Sequence, residues 1–551
     1  MNRKPQPMTK WLEPRVLLHS AQEVVLSGLF ANFADKRESM AGADPTDHGG
    51  LCFDYSGEDS GTFWFDYASD VGDGFNPTYA IARLLAGNSP TETERGRFLV
   101  LGGDQVYPSA SWERYDERFR YPYEEASKGL DPADMYVIPG NHDWYDGLTS
   151  FTRLFCQRAS IGAWQTRQGR SYFAIKLPYN WWLWGIDIQF DAYIDGPQVD
   201  YFTRVAEQTE AGDKIILATA KPSWVQVEAD KPPPQSWKSL AWFDDHVICK
   251  NGARLALTIT GDLHHYARYD QSAEEQDGVV TTVGAKLTAG GGGAFLSPTH
   301  QLPLEVDLPA STRAGSDEPP ATTVYTRRRE WPDVDTSRRL ALGFLRHLSP
   351  AETWKLGKVL AVVYLLAALL VAVGVKDRDT SFTDSLDAGF GALVLDSITV
   401  WLVLAAIGLA AGLRAWAIYG EARGAMGLLH WAAQFAVAWL GTILVLGLLP
   451  QGLADDGFWH GYLTALVMAV VGVVVGRWLL VAYLFLSHRI NPRWHANEVF
   501  AAQHREDYKH FLRFKLDGTD ALTVYVVGLR DVSQEPELIE VLAVQAPPPP
   551  R

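Results

Sequence analysis

Phe98-Leu99-Val100-Leu101-Gly102-Gly103-Asp104-Gln105-Val106-Tyr107 decides how the first half of this chain is read. Four apolar residues, enough for a short buried strand, run directly into two glycines and a carboxylate. Glycine permits the tight turn that ends such a strand, and Asp104 then stands at the strand's carboxyl end. Working outward, the arrangement recurs three times. Thr62-Phe63-Trp64-Phe65 leads to Ser69-Asp70-Val71-Gly72-Asp73-Gly74. Met135-Tyr136-Val137-Ile138 leads to Gly140-Asn141-His142-Asp143, and Leu255-Ala256-Leu257-Thr258-Ile259 leads to Gly261-Asp262-Leu263-His264-His265. Open α/β sheets gather their sites at the carboxyl ends of neighbouring strands. Carboxylate, amide and imidazole groups gathered there are the donors a hard cation takes. The four segments in order point to a metal-dependent hydrolase.

The chain, 551 residues long, exceeds one ordinary domain. Its composition divides it into an N-terminal helical extension (1–60), an α/β domain (61–302), a Pro-, Ser-, Thr- and charge-rich linker (303–355), an apolar region (356–486) and a charged C-terminal segment (487–551). In that last segment Asp507–Phe514 and Leu522–Val527 read as two strands around Asp517-Gly518-Thr519, too little for a core of their own. They are expected to pack on the α/β domain. A net charge of −16 argues against nucleic acid as a partner. Cys52, Cys156 and Cys249 show no pairing pattern, which suits a reducing compartment. Residues 1–18 carry charges and prolines without an apolar h-region, so the first half is expected in the cytoplasm.

Four stretches, 356–375, 391–413, 427–449 and 463–486, reach the roughly 20 apolar residues that a membrane span takes. Arg327, Arg328, Arg329, Arg338, Arg339, Arg346, Lys355 and Lys358 precede the first. Arg414 and Arg423 separate the second from the third, and Arg489 and Arg493 follow the fourth. Basic residues stay on the cytoplasmic side, so the expectation is a multi-pass protein of a bacterial-type inner membrane with both termini inside. Asp396 and Arg477 lie within spans but differ in depth by roughly 15 Å, so snorkelling suits them better than pairing. Gly408–Gly412 and Gly472–Gly476 fit helix contacts inside the bundle, with homo-oligomerisation the lesser option.

The order DxG, GDxxY, GNHD, GDxH over roughly 63–295 resembles the calcineurin-like metallophosphoesterases, the first three segments most of all their purple acid phosphatase variant. The resemblance implies a four-layer αββα sandwich with two metal ions at the strand ends. It implies that Asp70 and His264 bind the first ion, that Asp104 bridges both, and that Asn141 binds the second. His142 would contact the phosphoryl group or protonate the leaving oxygen, with Asp143 orienting it. Two such ions lower the pKa of a bridging water and clamp phosphate oxygens for in-line displacement.

The chain departs from the commonest family pattern in three places. Gly72 stands where the usual histidine does, as in the purple acid phosphatases, and Tyr107 is then either a ligand or a packed aromatic. Asp262 replaces a second-metal histidine, which favours Mn, Fe or Mg over Zn. Ala220, after the strand Ile215–Thr219, replaces another ligand histidine. His300, Lys221 and His265 are candidates for substrate contact or, for His300, for completing the second shell; each could equally be ordinary surface or core. The glycine run Gly290–Gly293 lacks the Lys-Ser/Thr of a nucleotide loop and reads as a tight turn beside the site. The leading expectation is a membrane-anchored hydrolase of phosphomono- or phosphodiesters, acting on a phosphorylated small molecule or lipid. The alternative is a degenerate phosphoesterase fold that binds a ligand and regulates the bundle.

Overall fold

All four apolar runs that carry the acidic and amide segments are strands, and their residues are almost entirely buried. Strands covered on both faces need continuous rather than alternating apolar sequence, and the run at 98–101 has it. The computed structural model describes residues 3–18, 40–376, 421–449 and 457–548, less short omissions at 59–60, 89, 91, 189–192, 229–230, 277, 312–320, 348–349 and 520, plus positions 22, 37, 402, 406, 408 and 409. The chain forms two compact units: 1–9, 19–339 and 504–551 make the first, and 10–18 with 340–503 the second.

The first unit opens with β1 (Phe53–Asp54), β2 (Phe63–Ala68), β3 (Phe98–Leu101), β4 (Ala133–Val137), β5 (Ser160–Ile161) and β6 (Trp164–Thr166). It continues with β7 (Phe173–Lys176), β8 (Trp181–Gly185), β9 (Lys214–Ala218), β10 (Arg254–Thr260) and β11 (Tyr266–Asp270). Then follow β12 (Ser272–Gln276), β13 (Val279–Val283), β14 (Ala285–Ala289), β15 (Glu305–Pro309) and β16 (Thr322–Trp331). After the second unit come β17 (Lys509–Leu516), β18 (Leu522–Leu529) and β19 (Glu537–Gln545).

They build a nine-stranded sheet, β1-β7-β8-β9-β10-β14-β11-β16-β15, and a ten-stranded sheet, β12-β13-β19-β18-β17-β2-β3-β4-β6-β5. The centre of each is parallel: β2-β3-β4 in one, β8-β9-β10-β14 in the other. One buried cluster joins Phe65, Phe98 and Phe514 to Ile175, Leu183, Leu257 and Leu287, so the sheets face each other. Helices Phe75–Leu85 and Thr149–Phe155 cover the outer face of the larger sheet through Ile81, Leu85, Phe151 and Leu154. Helices Gly196–Ala206 and Gln235–His246 cover the other through Phe202, Val205, Leu240 and Phe243. The order of layers is helix, sheet, sheet, helix.

Two expectations change. Residues 303–355 are not a linker: β15 and β16 extend the nine-stranded sheet, β16 pairing antiparallel with β11 from Tyr266↔Trp331 to Asp270↔Thr326. Their alternation of exposed and buried positions is that of a strand near a sheet edge, which tolerates charge on its outer face. Arg327, Arg328 and Arg329 are therefore sheet residues rather than juxtamembrane ones. The C-terminal segment supplies three strands instead of two, and β17 pairs with β2 from Leu512↔Tyr67 to Leu516↔Phe63. The expected helical extension over 1–60 is described at 3–18, 22, 37 and 40–58; there the continuous helix is 14–18, and 41–58 is turns and irregular chain with the strand β1.

The second unit holds helices Pro350–Lys376 and Glu421–Leu448, and Gly457–Val471, which runs through a π-helical Gly472–Gly476 into Arg477–Ile490. Among the described residues, three segments, Thr353–Leu370, Arg423–Leu448 and Trp459–Ile490, are long and apolar enough to cross a membrane. The expected span 391–413, with Asp396 and most of Gly408–Gly412, lies outside the described residues. Gly472 and Gly476 pack within the unit, against Leu360 and Tyr364. Gln434 bridges that contact, accepting from the Tyr364 hydroxyl at 2.6 Å and donating to the Gly476 carbonyl at 2.9 Å.

Candidate functional site

The turns that follow β2, β3 and β10 carry Asp70, Asp104 and Asp262, and all three have left-handed backbone, with φ of 57°, 53° and 67°. Such a conformation costs a non-glycine residue roughly 1–2 kcal/mol and tends to persist where the surroundings over-determine it. Here the surroundings are a web of backbone bonds. Asp70 N–H donates to the Gly103 carbonyl at 3.0 Å and Val71 N–H to the Asp104 carbonyl at 3.1 Å, lashing the two turns together. Gly72 permits this approach: with φ +45°, a Cβ there would lie 2.1 Å from the Gln105 carbonyl oxygen, so no side chain fits. At Gly140 a Cβ would lie 2.2 Å from Asp104 Oδ1.

The side chains meet around one phenol. Tyr107 hydroxyl lies 2.9 Å from Asp70 Oδ1, 3.4 Å from Asp104 Oδ2 and 3.1 Å from His264 Nε2. The other oxygens are held by main chain: Asp70 Oδ2 accepts from Asp262 N–H at 2.9 Å, and Asp104 Oδ1 from His142 N–H at 2.8 Å. His264 Nδ1 faces the Phe295 carbonyl at 2.8 Å. An N–H there leaves Nε2 as the basic nitrogen toward the cluster, the arrangement metal-binding imidazoles use. Asn141 begins the short helix Asn141–Trp144 and donates to the Tyr145 hydroxyl at 3.0 Å. Ala220 does stand at the site: its Cβ would be 3.5 Å from a Cβ on Gly103. The position expected to carry a ligand therefore offers only a methyl group.

Burial, and then the charges of Asp70, Asp143 and Asp262, lift the Asp104 carboxyl well above the usual carboxylate range. Burial, and then the charges of Asp70, Asp104 and Asp73, keep the Tyr107 phenol protonated far beyond its ordinary value. Among the described residues no three His, Cys, Asp or Glu side chains stand close enough together to hold an ion by themselves. The donor chemistry nonetheless suits a cation. Asp70, Asp104, Tyr107 and His264 are joined by hydrogen bonds, and burial, followed by the neighbouring carboxylates, makes Asp104 resist ionisation.

Three expected roles change. Asp143 does not orient His142: it accepts from Gly140 N–H at 2.9 Å, from Gln105 N–H at 3.3 Å and from the Tyr115 hydroxyl, pinning the loop from beneath. The group that orients His142 is the Pro108 carbonyl, 2.6 Å from Nδ1. Burial holds that ring neutral, with its pKa down to about 4. His265 is fully buried and depressed to about 3, by burial first and then by His510, which makes it a core residue rather than a substrate contact. His300 is turned toward Ser337, its Nδ1 2.8 Å from the hydroxyl. Lys221 is half-buried in the turn after β9. Sequence reasoning also gave Asp73 no role; it accepts from Thr9 N–H at 3.0 Å and Phe295 N–H at 3.3 Å, fixing the segment that positions His264.

Residues 63–266 match the family of calcineurin-like phosphoesterases, and the chain carries a domain of that kind. No curated protein matches the chain. Among solved structures it is similar to GAP50, the anchor in the inner membrane complex of Plasmodium, at 13% identity and a TM-score of 0.34, over 51% of this chain and 94% of that one. It is similar to the purple acid phosphatase PPD1 from yellow lupin (Lupinus luteus) seeds at 14% identity and a TM-score of 0.32, covering 50% and 48%. PhoD follows at 12% identity and a TM-score of 0.29, covering 49% and 69%.

Proposed function

We propose that this chain is a membrane-embedded, metal-dependent phosphoesterase that hydrolyses a phosphomono- or phosphodiester. The observation that carries the reading is the single hydrogen-bonded cluster of Asp70, Asp104, Tyr107 and His264 at the carboxyl ends of parallel strands. That cluster lies inside a segment matched by a phosphoesterase family. Asp70, His264 and Tyr107 would hold one ion, Asn141 and Asp262 a second, and Asp104 would bridge them, with Mn, Fe or Mg better suited than Zn to so many oxygens. Bound there, the ions supply a nucleophilic water at neutral pH and stabilise charge on the phosphoryl oxygens. The protein's own contribution is orientation and proton transfer. The Pro108 carbonyl accepts a hydrogen bond from His142 Nδ1–H, so Nε2 is the nitrogen that serves the substrate. The ring is neutral while buried alone; a phosphoryl anion beside it favours the protonated form, and the leaving oxygen takes that proton from Nε2.

Four membrane crossings complete the proposal. The strands before and after the helical unit share one sheet, so the chain must return to the side it left, and the number of crossings is even. Three apolar helices are described, and 391–413 would supply the fourth. Arg338, Arg339, Arg346, Arg414, Arg423, Arg489 and Arg493 support a cytoplasmic phosphoesterase unit. A second reading, a degenerate module that binds a ligand without turning it over, rests on Ala220.

Turnover decides between them. The full chain in detergent, supplied with Mn²⁺, Fe²⁺ or Mg²⁺, should hydrolyse 4-nitrophenyl phosphate or bis(4-nitrophenyl) phosphate. Asp104→Asn should lose about 10³-fold or more, the equivalent of about 4 kcal/mol of transition-state stabilisation. Absence of turnover with every metal would favour the ligand-binding module.

A further inference from the structure

On the outer face of the nine-stranded sheet, a cavity of about 240 Å³ lies beneath the helix Gln235–His246 and beside β15 and β16. Lys286, only 5% exposed, lines it from the second position of β14. Its ammonium lies 4.8 Å from the ring centre of Tyr325, 5.3 Å from that of Trp237 and 5.6 Å from that of Trp224. Among the described residues nothing accepts a hydrogen bond from it or pairs with it within 4 Å. Asp244 is the carboxylate whose charge acts on it, and Asp244 itself accepts from the Cys249 thiol at 3.5 Å. Burial pushes the Lys286 ammonium down to about 8.

A buried ammonium whose three donors meet ring faces, with Asp244 acting on it only from beyond ion-pair distance, is under-compensated. The aromatic cage already contains its cation, so a cationic guest would be repelled. A monoanion would fill the ammonium's open hydrogen bonds; a dianion would bring excess charge beside Asp244 and Asp245, which also line the wall. Arg254, the other cation on the wall, is committed to the Pro547 carbonyl at 2.9 Å. The flat walls and the small volume fit a single ring.

We propose that this cavity is a binding site for a small aromatic carboxylate, whose anionic end pairs with Lys286 and whose ring lies among Trp224, Trp237 and Tyr325. The site does not share residues with the metal cluster. Lys286 pairs with Thr258 in the middle of β10, whereas Asp262 lies beyond that strand's end.

Benzoate is the probe. It should raise the thermal stability of the full chain in detergent and change its tryptophan emission, both saturably. Lys286→Met, which keeps the length and removes the charge, should bind benzoate about tenfold or more weakly, with aryl phosphate turnover unchanged. Should that variant fail to fold, the wild-type protein answers alone. An amine-reactive ester at pH 8 should label Lys286, and benzoate should protect it, read by mass spectrometry of the peptide. No saturable binding up to about 10 mM, equal binding by Lys286→Met, or equal protection by inorganic phosphate would overturn the proposal.

Discussion

His142 shows how much of a site is built by groups that carry no signature. Its ring is aimed by a main-chain carbonyl at Pro108, as His264 is by that of Phe295. Every residue has a carbonyl, so neither partner was legible in the sequence, whereas Asp70, Asp104 and His264 were, because few residue types can ligate a cation. His264 and His265 look alike as a pair of adjacent histidines and both are buried; only the fold separates them, turning His264 Nε2 to within 3.1 Å of the Tyr107 hydroxyl and His265 into the core beside His510. On the proposed mechanism, His142→Ala should lower kcat by about 10²–10⁴-fold while bound metal, measured by elemental analysis, is kept. Loss of metal in that variant would move His142 into the ligand set. Gly140→Ala makes the opposite prediction. Its Cβ would press on Asp104 Oδ1, so metal content and turnover should fall together although no ligand is changed.

Among the elements, β17 is the one on which the most rests. Arg513, fully buried, binds both oxygens of Asp66 on β2, at 2.7 and 2.9 Å, and donates to the Thr93 hydroxyl at 3.1 Å. Removing the guanidinium strands a buried carboxylate, so Arg513→Leu should cost about 3–5 kcal/mol, read as a large drop in the melting temperature of the phosphoesterase unit. Asp187, just after β8, offers a pH test. It accepts from the Ser171 hydroxyl at 2.6 Å and the Trp144 indole at 3.0 Å, and burial lifts it to about 7. Between its ordinary value of 3.8 and about 7 the folded chain holds a proton that the unfolded chain has released. Stability therefore falls as pH rises through that window, by at most about 1.4 kcal/mol per pH unit. Thermal melts of wild type against Asp187→Asn across pH 4–8 should show the slope in the former and its loss in the latter. Parallel strands such as β3 and β10 were legible as unbroken apolar runs. β16 was not: its arginines and threonines read as a polar connection, because an outer strand buries only some of its side chains.

At the scale of the molecule, the sequence shows an α/β half, an apolar region and a charged tail, and the structure shows that the first and last are one folded unit. A short C-terminal segment signals only two or three strands. What they pair with depends on an edge at β2 more than 400 residues away in the chain, and no local pattern reports that. Truncation after Gln503 should therefore leave β2 without its neighbour and yield aggregated or proteolysed protein, measurable as loss of the monodisperse full-length species in detergent. In the proposed membrane topology, the same connectivity puts both ends of the apolar region on one side. Reporter fusions after Gln503 and before Leu340 should report the same compartment, and opposite compartments would contradict the even count. The central claim, that the acidic cluster is a metal site, is tested most directly by elemental analysis of the purified full-length protein beside Asp104→Asn. The account predicts bound Mn, Fe or Mg in the wild type and its loss in the variant. A wild type that takes up no metal after incubation with each ion, or a variant that retains it fully, would contradict it.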